Sequence, residues 1–278
     1  MNTRKRTVQN NQVLVPHKKH RKANTTPTAT PTTTSKSSDD WRASQVVAQL
    51  QKALRDHGNP ADAASMKKYM REQFEFFGVK SPRRRELCRE IFVHVREKDL
   101  ENSKLRGLVS MLWDKPQREL QHGAMDFLES NKRKICCMEE EFDENMAFFK
   151  SLLVTKSWWD TVDMLASKLV GYLVRTHPER GRAVMEEWVE GENMWLRRTA
   201  ILHQLGSKVD TDSDLLFRFC LARCHEEEFF IRKAIGWALR AFARFHPTQV
   251  RRFLQKNKNS LSKLSYNEAS KHLNMAKK

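Results

Sequence analysis

Lys156-Ser157-Trp158-Trp159-Asp160-Thr161-Val162-Asp163 is the stretch on which the reading of this chain turns. Residues four apart share one face of a helix, so Trp159 and Asp163 are expected to form a single aromatic–acid patch. Trp158 and Trp159 are neighbours, and a helix turns about 100° between neighbours. Both can hardly point inward, and one should face a concave surface. Further along, Trp195-Leu196-Arg197-Arg198 and Ile231-Arg232-Lys233-Ala234-Ile235-Gly236-Trp237 supply more aromatics, now mixed with cations. Trp159, Arg198 and Trp237 follow one another at intervals of 39 residues. That interval lies just below the HEAT and armadillo repeat length of about 40–47 residues. Such repeats stack into a curved solenoid with an extended concave face.

Outward from this stretch the pattern is helical almost throughout. Val46, Val47, Leu50 and Leu54 give the 3–4 spacing of a first helix. Pro60 is placed to start a second that ends near Gly78, with Met66, Tyr69, Met70 and Phe74 on one face. Ser81-Pro82 reads as an N-cap followed by a first-turn proline, opening a helix over 83–97. Pro116, Pro178 and Pro247 mark three further boundaries, each starting the next element. Asn193 is expected to cap the helix that carries Arg198. No alternating strand and no Asn-Gly hairpin signal is present. The expected architecture is all-α: a superhelical solenoid of HEAT-like repeats over 41–278. A non-repeating bundle would absorb the helices but leave the regular aromatic–charge placement to chance.

The chain has 278 residues and a formal charge of +17. Residues 1–40 hold eight Lys/Arg against Asp39 and Asp40, a net of +6, which leaves +11 for the rest. Basicity is therefore a property of the folded part and points to a polyanion, most simply nucleic acid. Residues 1–40 are rich in Thr, Pro and Ser and poor in large hydrophobes, so this basic extension is expected to be disordered. Its clusters Arg4-Lys5-Arg6 and Lys18-Lys19-His20-Arg21-Lys22 suit nuclear import or nonspecific nucleic-acid contact. A mitochondrial transit peptide competes, because no acid precedes Asp39, but Pro and Thr oppose the amphipathic helix it needs. Without import, the protein would reside in the cytoplasm or nucleoid.

Cysteines at 88, 136, 137, 220 and 224 are odd in number and irregular in spacing, unlike a secreted disulfide framework. The chain reads as reduced and intracellular. Cys220, Cys224 and His225 invite a metal reading, but the spacing equally suits one apolar helix face and no second ligand pair appears. No apolar run approaches the length of a membrane span.

Tryptophan at helical spacing is usually core, and Trp113, Trp188 and Trp195 are read that way. Taken together, however, 156–163, 195–205 and Glu228-Phe229-Phe230-Ile231-Arg232-Lys233-Ala234-Ile235-Gly236-Trp237-Ala238-Leu239-Arg240 resemble the AlkD-type DNA glycosylases built from HEAT-like repeats. The resemblance runs from about Trp41 to Lys278, with Tyr69-Met70 through Gly78 and Pro82 to Leu87 matching the N-terminal helices. It implies a monofunctional enzyme that excises cationic N3- and N7-alkylated purines from duplex DNA without flipping the base into a pocket. It implies that Asp163 is catalytic, that Trp159 and Trp237 flank it, and that Arg198 contacts the DNA backbone at the lesion.

The chemistry of the residues agrees. An alkylated purine is already cationic and leaves without a strong acid, so the transition state needs a carboxylate to stabilise an oxocarbenium-like sugar and position water. Indole faces stabilise the same charge by roughly 0.5–2 kcal/mol each. No metal or cofactor is required, and a monomer suffices. Further candidates for DNA contact are Lys156, Arg197, Arg232, Lys233 and Arg240, with Tyr69 and Lys80 reaching in from the N-terminal repeats; Arg83, Arg84 and Arg85 are basic residues of the same kind. For such cations a solvated helix face is the competing reading. The alternative for the whole protein is a noncatalytic HEAT-like scaffold, which has no reason to keep Trp159, Asp163, Arg198 and Trp237 together.

Overall fold

A computed structural model describes residues 42–96 and 100–273. The expected disordered extension and its two basic clusters lie outside the described residues, as does Trp41.

Helix follows helix. The order is α1 (Ala43–Asp56), α2 (Pro60–Tyr69), α3 (Ser81–Arg96), α4 (Asn102–Trp113), α5 (Arg118–Cys136) and α6 (Phe142–Val154). Then come α7 (Trp159–Met164), a π-helical segment (Leu165–Val170), α8 (Gly171–Thr176), α9 (Pro178–Glu190) and α10 (Met194–Leu202). Two short 3₁₀ turns precede α11 (Ser213–Ala222), α12 (Phe229–Ala243), α13 (Pro247–Lys256) and α14 (Lys263–Ser270). Among the described residues there is no strand, only one isolated bridge between Glu75 and Gln117.

Polar side chains set some of the starts. Asn59 accepts from the amides of Ala61 and Asp62 ahead of α2, and Asn193 accepts from Trp195 and Leu196 ahead of α10. Pro178 and Pro247 open α9 and α13 as expected. Pro116 does not open a helix, for α5 begins two residues later at Arg118. The second helix is shorter than its pattern suggests. It ends at Tyr69, where Arg71 and Glu72 take left-handed φ of 54° and 62°. Their amides return to the carbonyls of Lys68 and Lys67, satisfying the helix end.

The repeats are visible in what bonds to what. Arg84 on α3 pairs with Asp126 on α5, 42 residues on. Arg118 on α5 pairs with Asp160 on α7, again 42 residues on. The separation then falls to 35 for Asp163 with Arg198 and 28 for Arg240 with Glu268. Each of these pairs links one repeat to the next, and the sequence between partners shortens toward the C-terminal end.

Two apolar layers support the stack. One joins Val47, Leu50 and Leu54 through Phe127 and Leu173 to Trp188 and Phe219. The other joins Ala166 and Leu202 to Ile235, Leu239 and Leu273. Each fully buried Leu or Phe contributes about 1.5–3 kcal/mol relative to exposure. Trp113 and Trp188 are core as expected, whereas Trp195 is half-buried at the core's edge. Cys220 is buried among these side chains, and no group of three metal-ligating residues occurs among the described residues. No described helix is long and apolar enough to cross a membrane.

Candidate functional site

The first turn of α5 sets up the site. Arg118 is fully buried, and its guanidinium stacks on Phe74 at 3.7 Å. It donates to both carboxylate oxygens of Asp160 (3.0 and 2.6 Å), to Thr161 Oγ1 and to the Lys156 carbonyl. Burial alone would raise the Asp160 pKa, but the hydrogen bonds from His122 and Arg118, with Arg118's charge, hold it well below the usual carboxylate range. Next to Arg118, Glu119 accepts from the amides of Phe77, Gly78 and Val79. Gly78 lies at φ 87°, and a Cβ there would sit 2.0 Å from the Asn59 carbonyl oxygen. One helix start therefore fixes both the segment following Tyr69 and the entry to α7.

Between these fixed points opens a cleft of about 460 Å³. Asp163, one turn into α7, presents its carboxylate there, and Arg198 on α10 meets it with a bidentate fork: Nε to Oδ1 at 2.7 Å and Nη2 to Oδ2 at 2.9 Å. The third guanidinium nitrogen, Nη1, donates to the Phe230 carbonyl. Burial pushes the Asp163 pKa up, and the Arg198 fork and charge oppose that rise. The result is a desolvated carboxylate oriented by a single cation.

The walls are aromatic. Trp159 and Trp237 both line the cleft, and Tyr69 meets Trp159 edge-on with centroids 5.9 Å apart. Trp158 lines it as well, packed against Phe230 at 5.3 Å and Trp195 at 6.0 Å. Of the two adjacent tryptophans at least one is expected on the concave surface, and both line the cleft. Trp158 is the extended N-cap of α7, at φ −157° and ψ 161°, so the helical turn between neighbours does not apply to it. Its Nε1 is buried without a hydrogen-bond partner among the described residues.

Among the expected DNA-contacting residues, Tyr69, Arg198, Lys233 and Arg240 converge on this cleft. Arg198 is nonetheless buried, with its fork committed to Asp163. Four others lie away from the cleft. Lys156 turns its ammonium onto the carbonyls of Trp113 and Lys115, at 2.6 and 2.7 Å. Arg197 bonds Glu226 and the carbonyls of Gly191 and Glu192. Arg232 donates to the Glu226 carbonyl. Lys80 pairs with Asp62 at 3.2 Å on an exposed surface. Of the other basic residues, Arg84 is buried on Asp126, Arg83 pairs with Glu86, and Arg85 is exposed beside Asp126.

Four lining residues escaped the sequence reading: Arg71, Phe229, Phe230 and Glu268. The two phenylalanines stood inside a quoted motif but had no partner visible in it. Arg71 depends on the early end of α2, and Glu268 on a packing contact between α12 and α14.

The model of the DNA alkylation repair enzyme family matches residues 50–273. A solved structure described as a predicted DNA alkylation repair enzyme from Enterococcus faecalis is 33% identical, with a TM-score of 0.71 over 79% of this chain and 98% of that one. AlkD2 from Streptococcus mutans is 15% identical at a TM-score of 0.57, covering 84% of this chain and 100% of its own. The protein smu.31 from Streptococcus mutans UA159 is 14% identical at 0.55, covering 82% and 100% respectively. At these last two identities the likeness is one of fold. No match is found among curated proteins. The chain belongs to the DNA alkylation repair enzyme family. Its role lies in DNA alkylation repair, and DNA is its substrate.

Proposed function

We propose that this protein is a monofunctional DNA glycosylase that hydrolyses the N-glycosidic bond of cationic N3- and N7-alkylated purines in duplex DNA. The observation that carries the reading is one desolvated carboxylate, Asp163, in an aromatic cleft with Trp159 and Trp237.

The reaction needs little more. The bond from C1′ to the purine nitrogen breaks, and its electron pair neutralises the cationic base, which departs without an acid. The ionised Asp163 stabilises the positive charge left on the sugar and orients a water. The water oxygen bonds to C1′ while its proton passes to the carboxylate and on to solvent. The products are the free alkylated base and an abasic site. Indole faces stabilise the same charge by roughly 0.5–2 kcal/mol each. Arg198 keeps Asp163 ionised and aimed.

The cleft is open and rimmed by exposed Tyr69 and Phe229, with Lys233 and Arg240 beside Trp237. This rim suits a lesion held by its sugar and phosphates rather than a base flipped into an enclosed pocket. The protein acts as a monomer, and the basic clusters of residues 1–40 fit delivery to the nucleus and a search along DNA. A noncatalytic scaffold has no use for a desolvated carboxylate walled by indoles.

The test is incubation with duplex DNA containing N7-methylguanine, scoring free base and abasic sites together. Equal yields of the two are expected. Salt-sensitive binding with no base released from any N3- or N7-alkylated purine would refute the proposal.

A further inference from the structure

Glu268 is the acid the reaction above does not use. It lies on α14, is 5% exposed, and lines the same cleft as Asp163 and Trp237. Lys233 approaches its Oε2 at 3.1 Å and Arg240 Nη1 at 2.8 Å, while Lys271 pairs with Oε1. Burial would raise its pKa, but the hydrogen bonds from Lys271 and Lys233 and the charge of Arg240 hold it down at about 2. It is therefore a fixed anion in the middle of a cationic group.

Its placement is built into two helices. A Cβ on Gly236 would stand 2.4 Å from the Glu268 Cβ and 2.9 Å from the Ser265 carbonyl oxygen. Only glycine permits this approach of α12 to α14. Ser262 caps α14 by accepting from the Ser265 amide, and Ser265 Oγ donates to the Arg232 carbonyl. α14 is thus registered against α12 at Arg232, Gly236 and Arg240. On α12, Lys233 lies four residues before Trp237 and Arg240 three after it, so all three share a face.

We propose that Glu268 is a positioning residue: through its Oε2 it gathers the charged ends of Lys233 and Arg240 beside Trp237, where they receive the DNA backbone at the lesion. Unrestrained lysine and arginine side chains would bind duplex DNA at least as well but would not fix the sugar against Asp163. The carboxylate exchanges nonspecific attraction for geometry. This inference rests on the glycosylase reading.

Its signature is a split between binding and rate. Glu268→Gln should slow single-turnover excision of 7-methylguanine by about tenfold to a hundredfold, the effect of a small misplacement of reacting groups. Affinity for undamaged duplex should hold or tighten, with a steeper salt dependence as the released cations engage phosphates. Thermal melting of the variant reports whether it folds. Should it fail to fold, Glu268→Asp carries the test: it keeps the charge but withdraws it, and slower excision at unchanged melting is expected. Excision at the unaltered rate in the folded variant, or binding that weakens together with rate, would overturn the inference alone. No base release by the unaltered protein would overturn the glycosylase reading and this inference with it.

Discussion

Arg198 holds Asp163 by both carboxylate oxygens, at 2.7 and 2.9 Å, across 35 residues of sequence and from one helical repeat to the next. The side chains are 5% and 16% exposed, so this is a buried pair in a cleft walled by Trp158, Trp159 and Trp237. Removing one partner strands the other. Arg198→Ala should therefore destabilise the fold by roughly 3–5 kcal/mol and abolish excision. Arg198→Lys should recover part of the stability but not the fork. Denaturant titration of both variants checks this.

The Asp163 carboxylate must be ionised to act, and burial raises its pKa above the ordinary 3.8. Single-turnover excision should accordingly fall on the acid side with a midpoint above 3.8. A midpoint at or below that value would mean another group controls the step. The effect on stability has the same sign: the folded state holds this proton more tightly than the unfolded chain does. Ionising Asp163 therefore costs stability as the pH rises through the two values.

Glu268 has the opposite sign. Its folded pKa of about 2 lies below the ordinary 4.5, so its contribution is complete above 4.5 and is lost as the pH falls toward 2. Lys233, Arg240 and Lys271 face it. The melting difference between the unaltered protein and Glu268→Gln should shrink across this window. A difference independent of pH would show that the cations do not act through its charge.

Gly236→Ala places a methyl 2.4 Å from the Glu268 Cβ and 2.9 Å from a backbone carbonyl that cannot withdraw. It should destabilise by about 1–3 kcal/mol and slow excision. Gly107 in α4 has nothing within 4 Å of its would-be Cβ. There alanine should be neutral or stabilise by roughly 0.4–1 kcal/mol.

Deleting residues 1–40 removes a net charge of +6. If this segment assists binding, the salt dependence of DNA affinity should flatten, while single-turnover excision at saturating protein stays unchanged. A large loss of rate would instead place the segment in the site.

Much of the fold is legible because helices announce themselves locally. Val47, Leu50 and Leu54 lie on the buried side of α1, and Asn193 caps α10 where the sequence places it. Trp159, Arg198 and Trp237 recur at one interval and Asp163 lies one turn after Trp159, and all four line one cleft. What stayed hidden depends on orientation and on distant partners. Arg197 and Arg198 are adjacent, yet one turns to Glu226 and the other to Asp163, a choice made by which repeat lies behind each. Lys156 reads as a cation of the site but serves as a cap for the end of α4. Trp158 enters the cleft because α7 starts one residue after it. Glu268 carries no local signal, since its meaning comes from a glycine 32 positions earlier on another helix.

The central claim is that Asp163 performs the chemistry, and the most direct measurement is single-turnover release of 7-methylguanine from duplex DNA by Asp163→Asn beside the unaltered protein. The amide nearly preserves shape and its single oxygen can accept one of the two Arg198 hydrogen bonds, so binding of undamaged duplex should remain almost intact. Base release by the unaltered protein and none by the variant is the expected result. Excision by Asp163→Asn at the unaltered rate would contradict it.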